Sequence, residues 1–139
     1  MRPLSLAVLF GLLLLLPTTA LATEPILDLL DQPVPILPDG SDATAADIQA
    51  AIIRGCARRG WTASRDEDGK LVASILVRGR HYAEVSITFT ARAYSIQYRA
   101  SRDLDFNEKR RRIHGNYNRW VAKLAQTINR ELISPTRPI

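Results

Sequence analysis

The chain has 139 residues, 46% apolar and 24% charged, a formal net charge of +5, one Cys and two His. That length holds at most one ordinary domain, and the composition excludes collagen, a coiled coil, a disordered chain and a disulfide scaffold. One Cys and two His are too few for a multi-ligand zinc site, so neither a metal nor another cofactor is expected.

The chain opens on Met1-Arg2-Pro3, an apolar run from Leu4 to Leu16, and then Ala20-Leu21-Ala22. A basic start, a short apolar stretch and an A-x-A site together read as an export signal, residues 1–22, cleaved after Ala22. The 13 residues of the apolar run span about 20 Å as a helix, short of the roughly 30 Å of a bilayer core. No transmembrane span is therefore expected in the mature chain, which would begin at Thr23 in the periplasm. A lipid anchor needs a Cys at that position, and the one Cys is Cys56. Cys56 falls on the apolar face of a helix, where burial is expected.

Residues 23–43 form an acidic arm containing Pro25, Pro33, Pro35 and Pro38. Repeated Pro favours extended chain. Ile26, Leu29, Val34 and Leu37 are too apolar for a solvated linker, so the arm should lie on the domain or dock on a partner. The domain proper spans 44–133, and residues 134–139 read as a flexible tail.

A first helix is expected over 44–59. Thr44 serves as N-cap with Asp47 completing a short capping box. Ala45, Ile48, Ile52 and Cys56 form its buried stripe, and Gly60 supplies the left-handed stop. Four strands follow, at 61–66, 70–78, 82–90 and 94–101. Leu71, Ala73, Ile75 and Val77 share one face, with Ser74 and the apolar exceptions Val72 and Leu76 on the other. Ala83, Val85, Ile87 and Phe89 alternate with polar neighbours, and so do Tyr94, Ile96, Tyr98 and Ala100. Such alternation predicts an antiparallel meander with one wet face. Asp66 and Lys70 close one loop around Gly69, Arg78 and Tyr82 a second around Gly79-Arg80-His81, and Phe89 and Tyr94 a third. A second helix is expected over 114–132, with Tyr117, Trp120, Val121, Leu124 and Ile128 inward. Together these elements predict an α+β fold, an α-β-β-β-β-α two-layer sandwich with both helices on one face of the sheet.

The chain resembles a family of small bacterial envelope proteins, many carrying lipoprotein signals. The resemblance lies in Arg59-Gly60-Trp61, Val77-Arg78-Gly79, Tyr94-Ser95-Ile96-Gln97-Tyr98 and Ile113-His114-Gly115-Asn116-Tyr117-Asn118-Arg119-Trp120. It covers about residues 44–128 and implies a secreted single domain of this layout, with no assigned activity. The missing lipid-carrying Cys is a departure from that family.

Charge divides along the chain. Residues 24–53 hold six acids and no base, whereas 54–139 hold 18 bases against 8 acids. A basic domain suits an anionic lipid surface or an acidic envelope protein, and nucleic acid is disfavoured by compartment. The leading expectation is a non-catalytic periplasmic domain that binds an envelope component or partner protein. Its expected contacts are Arg110, Arg111 and Arg112 before the second helix, and Val72, Leu76, Tyr82 and Arg99 on the wet sheet face. Alternatively, His114 with Asp103 or Asp105, and Asn116 nearby, forms the polar site of a small enzyme. A further alternative is a small-ligand carrier with a pocket lined by Tyr94, Tyr98 and Tyr117. His81 reads as a surface loop residue.

Overall fold

The computed structural model describes residues 22–134. The expected export signal, except for Ala22, and the expected tail beyond Ser134 lie outside the described residues. The elements are β1 (Thr23–Pro25), β2 (Leu29–Pro33), α1 (Ala45–Arg58), β3 (Thr62–Arg65), β4 (Leu71–Val77), β5 (His81–Phe89), β6 (Ala93–Arg102), β7 (Arg112–His114) and α2 (Asn116–Ile133). The fold is α+β. The central sheet has five strands in the order β2-β6-β5-β4-β3, and β1 pairs with β7 in a separate ladder. The meander of four strands is present, with the arm adding a fifth strand at its edge.

Local chemistry sets the ends of α1. The Thr44 hydroxyl accepts the Asp47 N–H at 3.1 Å, and the Asp47 carboxylate accepts the Thr44 N–H at 2.8 Å. Both bonds satisfy donors that a helix start leaves unpaired. At the other end Gly60 takes φ +75°, and the Trp61 N–H reaches back to the Cys56 carbonyl at 2.9 Å. That 6→1 bond is a Schellman stop, and the positive φ is why glycine stands there. Ile48, Ile52 and Cys56 are fully buried along the inner stripe. Burial pushes the Cys56 thiol up to about 12, which keeps it un-ionised and inert.

The β4–β5 ladder sets Leu71 opposite Ile87, Ala73 opposite Val85 and Ile75 opposite Ala83, so the apolar rows coincide. Its turn encloses three residues, as expected, but begins one residue earlier, at Arg78. Val77 pairs with His81, and Arg78 and Gly79 take consecutive positive φ of 54° and 66°, as a type I′ turn requires. His81 is therefore the first residue of β5, not a loop residue. The third loop has the expected register, with Phe89 opposite Tyr94.

Strand β6 departs from strict alternation. Glu84 faces Ala100 while Val85 faces Tyr98, so Arg99 is an extra residue in a bulge. The bulge reverses the parity beyond it. Ser101, expected on the wet face, stands opposite Ala83 and shares a hydrogen bond with the Tyr98 hydroxyl at 2.9 Å. Ala100, expected inward, faces Glu84 instead.

One apolar cluster joins both helices to the inner sheet face, with Ile48, Ile52, Ile87, Ile96, Leu124 and Ile128 at its centre. The helices approach closely at Gly55, where an added Cβ would lie 2.8 Å from the Ile128 side chain and 3.2 Å from its backbone nitrogen. Beside that contact Glu131, 2% exposed, pairs with Arg54 at 3.1 Å and with Arg58, and Thr127 accepts from Arg59 at 2.7 Å. The basic end of α1 thus clasps α2 instead of facing only solvent. Trp120 packs on the edge of the cluster half-buried, whereas Tyr117 is 0% exposed. The tyrosine, not the tryptophan, is the large aromatic residue of α2 in the interior.

The arm lies on the domain. Thr23 pairs with His114 and Pro25 with Arg112, while Leu29 pairs with Ile96 and Pro33 with Ala93. Asn118, 8% exposed, fastens the arm to α2. Its Oδ1 accepts the Leu27 N–H at 3.1 Å, and its Nδ2 donates to the Pro25 carbonyl at 2.9 Å and the Glu24 carboxylate at 3.3 Å. Glu24 also covers Gly115, where an added Cβ would lie 2.6 Å from its carboxylate oxygen. The acidic arm thereby sets a negative group over the positive end of the α2 dipole.

Candidate functional site

The residues expected to form a basic contact surface are separated by the fold. The Arg111 guanidinium pairs with Asp28 of the arm at 3.2 Å, and Arg112 donates to the Thr23 carbonyl from within β7. Arg110 is exposed. Two of the four cations of the basic run 109–112, Arg111 and Arg112, thus contact the acidic arm.

The wet sheet face is also less open than its sequence implies. Val72 lies between Ser64 and Ser86 in the ladder and is 6% exposed, so it offers little to a partner. Leu76 is 54% exposed. The Tyr82 hydroxyl donates to the Glu84 carboxylate at 2.6 Å, which raises its pKa, and the Arg102 guanidinium lies 4.9 Å from its ring centre. Arg99 is neutralised locally by Glu84 at 2.7 Å and Asp66 at 3.0 Å. The Asp66 carboxyl is held below its usual range, first by the Lys70 N–H and then by Arg99.

The three tyrosines of the proposed carrier pocket pack into the interior. Tyr98 lies 4.4 Å from Phe106 and 5.6 Å from Tyr117, centre to centre. The Tyr94 hydroxyl is engaged by the Asn129 side chain at 2.9 Å, and burial raises its pKa to about 12. The Tyr117 hydroxyl is buried without a hydrogen-bond partner, and burial raises its pKa as well.

A groove of about 500 Å³ brings the remaining polar candidates together. The β4–β5 turn contributes Arg78, Arg80 and His81. The segment after β6 contributes Asp103, Leu104 and Asp105, and the entry to α2 contributes His114, Asn116 and Arg119. The second histidine, His81, is in the groove although it read as surface. None of the three arginines is among the contact residues expected from the sequence.

Hydrogen bonds fix the groove's walls. The His81 ring bonds the Asp103 carbonyl through Nδ1 at 2.7 Å, and the His114 backbone N–H donates to the next carbonyl, Leu104, at 2.8 Å. Both histidines are thus tied to adjacent links of one segment. The Asn116 N–H, at the start of α2, donates to His114 Nδ1 at 3.1 Å, and the Asn116 side chain accepts from Arg119. Asp103 pairs with Arg80 at 3.6 Å, with both side chains largely exposed. Arg78, Asp103 and Asp105 have φ of 54°, 54° and 51°. Left-handed backbone at a residue other than glycine is uncommon and clusters where a site dictates geometry.

The electrostatics favour an anion. Three guanidinium groups face two carboxylates, one already paired with Arg80. The first turn of α2 carries no acid of its own, the Glu24 carboxylate of the arm being the group that lies over its start at Gly115, and the helix dipole there favours negative charge by about 0.3–1 kcal/mol. A second groove of about 500 Å³, between Val34, Ile36, Ala43, Ala91 and Arg92, offers one cation, one acid at Asp42 and mainly small apolar residues. It lacks any comparable convergence of charge.

Among the described residues no group of three or more His, Cys, Asp or Glu side chains is placed to hold a metal ion, and no helix is long and apolar enough to cross a membrane. No family model, curated protein or solved structure matches the chain.

Proposed function

We propose that the protein is an exported, non-catalytic periplasmic domain that binds an envelope component carrying an anionic group, and that the groove at the start of α2 is its binding site. The convergence of Arg78, Arg80 and Arg119 with two histidines on one concavity carries this reading. Arg presents a planar fork of donors matched to carboxylate and phosphate oxygens. The groove replaces the Arg110–Arg112 run as the basic contact because the fold employs Arg111 and Arg112 to bind the arm.

The enzyme alternative is less well supported. His114 spends its Nδ1 lone pair on the Asn116 N–H, and the Asp103 carboxylate faces Arg80, so the structure gives no His114–Asp103 pair. None of the nine lining residues carries a hydroxyl or thiol nucleophile.

Thermal melts of the full mature chain with inorganic phosphate test the proposal. Binding to the folded state raises the melting temperature by mass action. The unaltered protein should be stabilised increasingly with phosphate, and Arg78→Ser/Arg119→Ser should lose most of that increment. An equal increment in both proteins would remove the groove from the account.

A further inference from the structure

We infer that the groove's ligand is an anionic sugar, an acid group and free hydroxyls on one small ring, and this inference rests on the groove being the binding site. It follows from the states of the two histidines. A carbonyl oxygen only accepts, so the His81 Nδ1 facing the Asp103 carbonyl at 2.7 Å carries the proton. In neutral His81 the other nitrogen, Nε2, is then an acceptor. His114 is the opposite case. Its Nδ1 receives the Asn116 N–H at 3.1 Å and therefore carries no proton, so its Nε2–H is a donor.

The two rings line the same groove, and their second nitrogens have opposite functions, one acceptor and one donor. A fully ionised phosphate or carboxylate offers only acceptors, which suits His114 and the guanidinium groups but leaves His81 Nε2 without a partner. A hydroxyl both gives and takes a hydrogen bond, so it matches the pair. Asp103 and Asp105, acceptors on the same wall, add further demand for donated hydroxyl protons. Size agrees. About 500 Å³ is within the range of small-molecule sites, roughly 300–1,000 Å³, and is far larger than a single phosphate needs. A site that hydrogen-bonds a hydroxyl discriminates strongly against an analogue lacking it, because its polar groups are then left unpaired.

Isothermal titration of the full mature chain with glucose 1-phosphate, glucuronate, methyl phosphate and glucose tests the inference. Methyl phosphate keeps the charge without hydroxyls, glucose keeps the hydroxyls without charge, and glucuronate separates a carboxylate source from a phosphate one. Glucose 1-phosphate or glucuronate should bind at least tenfold more tightly than methyl phosphate, and glucose should bind at least tenfold more weakly than the better acid. In His81→Phe the preference for the sugar acid over methyl phosphate should shrink towards unity. Equal affinity for methyl phosphate and both sugar acids would overturn the sugar assignment while leaving an anion site in place. Binding of none of the acids would overturn the anion site itself. The ligand series on the unaltered protein decides the matter even if His81→Phe does not fold.

Discussion

Replacing Asn118 should loosen the arm, and the order of two variants should reveal the mechanism. The Asn118 amide makes three bonds to residues 24–27, two to backbone groups at 2.9 and 3.1 Å and one to the Glu24 carboxylate at 3.3 Å. Neutral hydrogen bonds contribute about 0.5–1.5 kcal/mol net, and bonds to a charged group about 1.5–3 kcal/mol. The Glu24 bond is long and belongs at the lower end. Leu27 is 59% exposed, so water partly replaces what its N–H loses. Asn118→Ala should therefore cost about 2–4 kcal/mol. Asn118→Asp is nearly isosteric and keeps an acceptor for Leu27, but it turns the donor into an oxygen facing the Pro25 carbonyl and the Glu24 carboxylate. Two acceptors and a like charge then meet with no proton between them, so at pH 7 Asp should be less stable than Ala. Shape alone predicts the reverse order. Urea denaturation, compared through midpoints at unchanged slope, measures both. Variants within about 0.5 kcal/mol of the parent, the range of neutral surface changes, would show that the arm contributes nothing to the fold.

Gly55→Ala should destabilise the protein although Ala favours a helix by about 1 kcal/mol over Gly. The new Cβ would meet Ile128 at 2.8 Å in its side chain and 3.2 Å in its backbone, and overpacking of that kind costs about 1–3 kcal/mol. A thermal melt above the parent's would mean that the helices separate freely. Asp47→Asn should lower stability at neutral pH and matter little in strong acid. The Thr44 backbone N–H, then its hydroxyl, holds the Asp47 carboxyl below its usual 3.8, so its contribution is present above about pH 4 and is lost as pH falls through the lowered value. Equal loss at pH 7 and pH 2 would rule out the ionised carboxylate as the cap.

Much of the fold is legible in local sequence. The Thr44–Asp47 box, the Gly60 stop and the facing rows of β4 and β5 each follow from spacing within a few residues. The misreadings arise where a distant residue decides. Nothing around Arg99 announces a bulge, because the extra residue is accommodated by Asp66 in the β3–β4 loop and Glu84 on β5. The run Lys109 to Arg112 reads as a surface until the arm folds back and takes Arg111 and Arg112. The arm's own place depends on Asn118, 91 residues from Leu27. The groove follows the same rule. His114 and the two aspartates drew attention through residue type alone. Arg78, Arg80 and His81 join them only because a tight turn brings the end of β4 beside the segment after β6. One local signal was available in principle, since Arg78-Gly79 at the centre of the turn puts a bulky side chain into left-handed backbone.

Amide shifts of isotope-labelled mature protein during titration with inorganic phosphate test the central claim most directly. The account predicts that the largest changes fall on Arg78–His81, Asp103–Asp105, Asn116 and Arg119, saturating together with one dissociation constant. Changes centred on Lys109–Arg112, or spread over the surface without saturation, would contradict it.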